Sequence, residues 1–186
     1  MKELYILPCS KTKIWDTNSR LEPLQPSGDV YKGQLHLKGK SFVKFYQTSD
    51  PAYLILSAKY GFIYPETKIE NYNETFKSKK PDLKFLGDQI RKYCLYDTEL
   101  VIVLGGSVYA NVVRRVFKNS KICVPLQFMP IGMMLFALNN PTSVKQKIDD
   151  FIWNEFPENG NLATNLVDGC KHVSALPSLE KQESRG

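Results

Sequence analysis

Four polar or glycine-rich clusters carry most of the residue types that can do chemistry, and each directly follows a short apolar run. The first is Pro8–Cys9–Ser10–Lys11–Thr12–Lys13. Its two lysines can meet phosphate or carboxylate oxygens as compact point charges, with Ser10 as a hydroxyl partner. The plainer reading of each lysine is a solvated loop residue. Cys9 is a nucleophile if a cation stabilises its thiolate, yet no histidine lies near it in sequence and small cysteines often close buried strands. The second cluster, Ser57–Ala58–Lys59–Tyr60–Gly61, packs a hydroxyl, an amine and a phenol together. Tyr60 can stack on a planar ring and Lys59 can meet an anion, or Gly61 can supply a positive φ to a tight turn in which Tyr60 merely packs. The third, Gly105–Gly106–Ser107–Val108–Tyr109, leads into a helical pattern. Glycines let a backbone approach an anion and a helix N-terminus presents free N–H groups, although a plain capped turn has the same sequence. It matches neither a Walker A loop nor a GxGxxG fingerprint. The fourth is Gln127–Phe128–Met129–Pro130–Ile131–Gly132.

Acid–base chemistry also needs a carboxylate. Glu70, inside Ile69–Glu70–Asn71–Tyr72–Asn73–Glu74–Thr75, is the first candidate, with Glu66, Glu74 and Asp29 as others; each reads also as a surface residue. Basic runs at Lys77–Ser78–Lys79–Lys80 with Lys84, and at Arg114–Arg115 with Lys118 and Lys121, can contact a phosphate backbone or stand as solvated helix faces.

The elements that must position these clusters follow from the hydrophobic pattern. Leu4–Leu7, Ala52–Leu56, Leu100–Leu104 and Ile122–Leu126 read as buried strands, the last ending early or lying at an edge because of Pro125. Residues 29–48 suit a helix broken near Gly39. Pro81 opens a helix through Leu83, Leu86, Ile90, Tyr93 and Cys94. Ser107 caps another, with Val108, Val112, Val113, Val116 and Phe117 inward. Residues 127–138 form a further helical or irregular segment, and Thr142 or Ser143 caps a last helix with Val144, Ile148, Phe151 and Ile152 inward. Unbroken apolar strands alternating with amphipathic helices specify an α/β fold: a mostly parallel central sheet of about four or five strands with helices on both faces. In such a sheet the clusters share the edge where strands end, and ligands bind in the crevice there.

The chain has 186 residues, 42% hydrophobic and 24% charged, which suits one domain, residues 1–156, followed by a polar tail over 157–186. No apolar run approaches the roughly 20 residues of a membrane span, so no membrane partner is expected. The first residues lack a secretory signal, and the expectation is a cytoplasmic protein. Twenty-five Lys and Arg against 19 Asp and Glu give a net charge of +6, which favours a nucleotide or nucleic-acid partner. Cys9, Cys94, Cys123 and Cys170 form no Cys-x-x-Cys pair, and with His36 and His172 they make no metal-ligand spacing, so neither metal nor cofactor is expected.

Taken in order, Pro8–Cys9–Ser10–Lys11, Tyr31–Lys32–Gly33, Leu56 to Pro65, Tyr72 and Gly105–Gly106–Ser107–Val108–Tyr109 resemble an uncharacterised bacterial and archaeal domain family with CSxxK, SAKYG and GGxxY motifs. That family is distantly similar to the YaaA peroxide-stress proteins, and its PCS-x-K opening is similar to the core of archaeosine synthase, a tRNA-modifying enzyme. The resemblance spans about residues 5–138. This chain has Thr12–Lys13 where archaeosine synthase has proline and tyrosine, so the resemblance implies a site location and a nucleic-acid class of substrate, not that enzyme's reaction. The expectation is an enzyme acting on a nucleobase or nucleotide, by base modification or at the N-glycosidic bond. Lys59, Cys9 and Glu70 would be catalytic, and Ser10, Lys11, Lys13, Ser57, Tyr60, Gly61, Tyr72, Gly105, Gly106, Ser107 and Tyr109 would bind substrate. The alternative is a non-catalytic DNA- or RNA-binding protein using the same basic edge.

Overall fold

Strands that are apolar on both faces must be covered on both faces, and the chain alternates accordingly. The computed structural model describes residues 1–46, 53–76 and 78–157. Its elements are β1 (Glu3–Pro8), α1 (Ile14–Thr17), β2 (Gln25–Pro26), α2 (Ser27–Val30), α3 (Gln34–Tyr46), β3 (Tyr53–Ser57), β4 (Gly61–Ile63), β5 (Lys68–Ile69), α4 (Leu83–Lys92), β6 (Leu100–Val103), α5 (Ser107–Val116), β7 (Lys121–Cys123), α6 (Ile131–Asn139) and α7 (Pro141–Glu155). Five strands form one sheet in the order β4-β3-β1-β6-β7. Strands β3, β1, β6 and β7 are parallel, with Ile6 opposite Leu54 and Val103, and β4 is antiparallel to β3. The expected α/β layering with a mostly parallel sheet is therefore what the chain adopts.

Side-chain alternation divides the core. Leu4, Ile6, Leu54, Leu56, Val101 and Val103 pack under α4 and α5 with Leu86, Ile90, Val112, Val113 and Phe117. Tyr5, Leu7, Tyr53, Ile55, Leu100 and Ile102 face the other way, against Phe42 and Val43 of α3, Met134 and Leu138 of α6, and Val144 and Ile148 of α7. From β1 the chain crosses by α3 to β3 on one side, and later adds β6 on the other side of β1 and returns by α5. The loops leaving β1 and β6 thus diverge onto opposite faces, which makes the crevice between these two strand ends the topological switch point.

Several local expectations are corrected. No break occurs at Gly39, which lies inside α3; a Cβ there would stand 3.0 Å from Leu7 Cδ2, so glycine lets the helix settle close on β1. Asp82, not Pro81, starts α4, its carboxylate accepting the Phe85 N–H at 3.0 Å. Gly106 is the N-cap of α5 and Ser107 its first residue, with no side-chain cap bond, and Val108 is 48% exposed rather than inward. Asn140 precedes α7, with Pro141 in the first turn. The short antiparallel strand β4 is not visible in the hydrophobic pattern. Strand β7 stops before Pro125 and lies at a sheet edge, as that proline requires. Among the described residues no helix is long and apolar enough to cross a membrane. The polar tail expected after residue 157 lies outside the described residues.

Candidate functional site

Because β1, β3, β6 and β7 run in one direction, the segments that leave them emerge along one edge. The first and third clusters meet there directly. The Tyr109 hydroxyl donates to the Cys9 carbonyl at 3.1 Å, and the same oxygen lies 3.4 Å from Cys9 Sγ. A phenol has one proton, so the thiol is the donor in the second contact. The Tyr109 ring packs beside Gly105, where an added Cβ would stand in ordinary contact, 3.4 Å from Tyr109 Cβ. Phe76 packs edge-on against the same ring at 5.5 Å. Tyr109 therefore fills the switch-point crevice itself, and burial, reinforced by Cys9, raises its pKa.

The first and second clusters meet through Tyr72. Ser57, buried at the end of β3, accepts the backbone N–H groups of Lys59 and Tyr60 at 3.2 and 3.1 Å. Both of its lone pairs are then in use, so its proton goes to the Tyr72 hydroxyl 2.9 Å away. That hydroxyl also lies 2.8 Å from the hydroxyl of Tyr31, which has no exposed surface. Buried polar groups satisfied in this way hold a unique geometry. Burial, with Cys9 and Tyr31 nearby, keeps the Tyr72 phenol protonated.

Two ammonium groups gather at the Tyr72 ring. Lys13 Nζ lies 4.4 Å from its centroid and Lys59 Nζ 5.9 Å, the latter also 5.0 Å from the Tyr60 centroid. Tyr60 stands edge-on to Tyr72 at 5.3 Å. Lys13 is only 4% exposed, unusual for a lysine, and its Nζ donates to the Lys11 carbonyl at 3.2 Å. Burial pushes its amine below the ordinary lysine value, against the opposing effects of Asp16 and Cys9. Lys11, Lys13, Asp16, Asn71, Tyr72 and Asn73 line an open cleft of about 420 Å³. Asp16 is the carboxylate in that wall, and it accepts the Lys13 backbone N–H at 2.8 Å, fixing the loop that leads into α1.

The other candidates divide. Ser10 spends its hydroxyl on the backbone, donating to the Thr12 carbonyl at 2.6 Å and accepting the Gly33 N–H at 3.0 Å. Gly61 holds φ +68° in the turn before β4. Gly106 and the exposed Ser107 lie at the start of α5 and do not line the cleft. Glu70 is exposed, and its part in the site is a backbone carbonyl 3.5 Å from the Tyr60 hydroxyl. Asp29 pairs with Lys40, and Glu66 is exposed. Of the basic runs, Lys79 pairs with Glu74, Lys84 with Asp88 and Lys121 with Glu155, while Arg114 donates to Gln127; Lys77 lies outside the described residues. The fourth cluster stays out of the cleft, with Phe128 92% exposed at φ +64°.

Sequence reasoning passed over Asp16, Asn71 and Asn73 as cleft residues, Tyr31 as the buried end of the hydroxyl chain, and Gln89. The Gln89 amide donates to the Tyr60 and Phe62 carbonyls and accepts the Phe62 N–H, which clamps the turn after Ser57. His36 is also structural: its Nδ1 lies 2.9 Å from the Pro8 carbonyl, at the end of β1. Among the described residues no three His, Cys, Asp or Glu side chains gather closely enough to hold a metal ion.

Residues 4–140 match the model of a family of unknown function, DUF6884. The chain belongs to this family. Its matched span runs from the second residue of β1 to the end of α6, hence over every residue of the cleft and of the Tyr31–Tyr72–Ser57 chain, and it stops before α7. The chain is also similar to the uncharacterized protein YfjM of Bacillus subtilis strain 168, at 33% identity over 155 residues, covering 80% of this chain and all of that protein. Membership of DUF6884 thus covers the part of the molecule that builds the site.

Proposed function

We propose that the protein binds a nucleotide, free or within DNA or RNA, in the cleft beyond β1 and β3, and acts on its base or its N-glycosidic bond. The observation that carries this reading is the convergence of Lys13 and Lys59 on the Tyr72 ring, with Lys11, Asn71 and Asn73 on the adjoining wall. A cleft of about 420 Å³ suits a small polar ligand. Ammonium groups meet phosphate oxygens, and carboxamides offer the paired donor and acceptor that read the edge of a base. Neither tyrosine is an open stacking platform, since Lys13 lies over the Tyr72 ring, Lys59 over the Tyr60 ring, and the two rings meet edge-on. Lys59 and Lys13 act on the substrate, and Asp16 replaces Glu70 as the carboxylate placed to move a proton. The likeness of Pro8–Cys9–Ser10–Lys11 to the core of archaeosine synthase supports the nucleic-acid class. The departure from that core falls on Thr12–Lys13, the second of which is the residue around which the cleft is built.

A ligand that binds only the folded chain stabilises it by RT ln(1 + [L]/Kd), so a panel of nucleoside mono-, di- and triphosphates is read by thermal melting. At least one member raises the melting temperature of the wild type, and Lys59→Ala abolishes that rise while leaving the unliganded melt nearly unchanged. An undiminished rise in Lys59→Ala removes Lys59 from the site. The alternative, a non-catalytic binder, is favoured by Asp16 spending one oxygen on the Lys13 N–H. It is distinguished by an affinity whose logarithm falls about 0.9 per phosphate contacted for each tenfold rise in salt, with no turnover of any bound nucleotide.

A further inference from the structure

Lysines that only neutralise phosphates keep their ammonium in water, where charge is cheapest. Lys13 does the opposite. Its side chain is packed away from solvent while Nζ borders the cleft, and its partners are a carbonyl at 3.2 Å and the face of an aromatic ring at 4.4 Å. Among the described residues no carboxylate lies within ion-pair distance of Nζ. The nearest candidate by sequence, Asp16, is held on the backbone N–H of Lys13 rather than on its amine. A second cation, Lys59, faces the same Tyr72 ring. Desolvation is a condition that makes a lysine amine available as a nucleophile. Burial lowers the pKa of this amine, in the direction nucleophilicity requires.

We propose that Lys13 forms a Schiff base with the C1′ aldehyde of an abasic deoxyribose in DNA. The proposal rests on the nucleotide-binding reading of the cleft and names its substrate. Loss of a base from a nucleotide leaves a sugar whose ring-opened form carries an aldehyde at C1′, flanked by two phosphates. Lys11, on the cleft wall with Lys13, supplies a cationic group for one of those phosphates. The lone pair on Nζ adds to C1′ and the carbonyl pair moves onto oxygen. A proton then passes from nitrogen to that oxygen, giving a carbinolamine. A second proton, drawn from water through Asp16, carries the oxygen away as water and leaves a protonated imine. No oxidant or reductant takes part.

The test is to incubate the full-length protein with a labelled oligonucleotide carrying one abasic site in the presence of sodium borohydride, which delivers hydride to the imine carbon and fixes the link as a secondary amine. One adduct is expected, located at Lys13 by peptide mass mapping, and reduced to background in Lys13→Arg, which keeps the positive charge and removes the nucleophile. Mapping on the wild-type chain decides the matter even if that variant folds poorly. Absence of an adduct, or an adduct at Lys11, Lys59 or the Met1 amine, overturns the proposal. The melting panel separates the two readings: a nucleotide-induced rise without a Lys13 adduct leaves the cleft as a nucleotide site and removes the aldehyde chemistry alone.

Discussion

Gly61 shows how much of the site rests on one backbone torsion. At φ +68° it lies in the region that L side chains rarely adopt, and a Cβ there would stand 2.1 Å from Gln89 Oε1. Gln89 cannot yield without giving up its bonds to Tyr60 and Phe62, which clamp the turn carrying Lys59 and Tyr60. Gly61→Ala therefore carries both a left-handed strain and a broken clamp, a combined loss on the order of 2–4 kcal/mol in urea unfolding. A loss below about 1 kcal/mol would show that the turn relaxes freely. The glycine was legible because a Lys-Tyr-Gly sequence after a buried strand asks for a tight turn. Gln89 was not, since a glutamine in the middle of an amphipathic helix looks like any solvated residue until β4 lies beside it. Lys13 was equally opaque. Its charge was visible in the sequence, but its burial is a property of Tyr72, nearly sixty positions away.

Among the elements, the parallel strands were the easiest to read, because Leu4–Leu7 and Leu100–Leu104 are apolar at every position and only a strand covered on both faces needs that. Helix starts were less legible. Ser107 and Thr142 have the side chains of caps, yet the cap positions fall to Gly106 and Asn140, and Ser107 is already the first residue of α5. Asp82 is the cap that does form a bond, and it sits beside Pro81. Without that bond the Phe85 N–H has no intrahelical partner in the first turn. Asp82→Ala costs about 1 kcal/mol, read as a fall of roughly 2–4 °C in the thermal midpoint. Because α4 carries Gln89, the same variant speeds amide exchange in the turn at residues 60–62. An unchanged midpoint would mean that packing of Leu86 and Ile90 on the sheet sets the start of α4 unaided. Strand β4 is not legible in the sequence because three residues form too short a run to show alternation.

Across the whole molecule, the common edge was legible from strand direction alone, whereas which clusters touch was not. Tyr31, Tyr72 and Ser57 come from three separated stretches, and only the folded chain reveals that their hydroxyls join. The same long-range logic governs His36, which ties α3 to the end of β1 just before the cluster that carries Lys11 and Lys13. With Nδ1 donating to the Pro8 carbonyl, Nε2 is the unprotonated nitrogen, and it is buried with no hydrogen-bond partner. Adding a proton there places an unsolvated charge in the core near Lys32 and Lys40, and burial first, then those cations, pushes the pKa from 6.5 to about 4. The unfolded chain therefore binds this proton more tightly than the folded one. Stability from the neutral ring is fully present above pH 6.5 and is lost as pH falls towards 4. Between pH 7.5 and 5.0 the loss is about 2 kcal/mol, from 1.36 kcal/mol per unit below the unfolded value. His36→Asn retains a donor for the Pro8 carbonyl and has no titrating group, so its urea midpoints at the two pH values converge relative to the wild type. Parallel declines in both proteins would assign the acid sensitivity to other groups and leave His36 with packing alone.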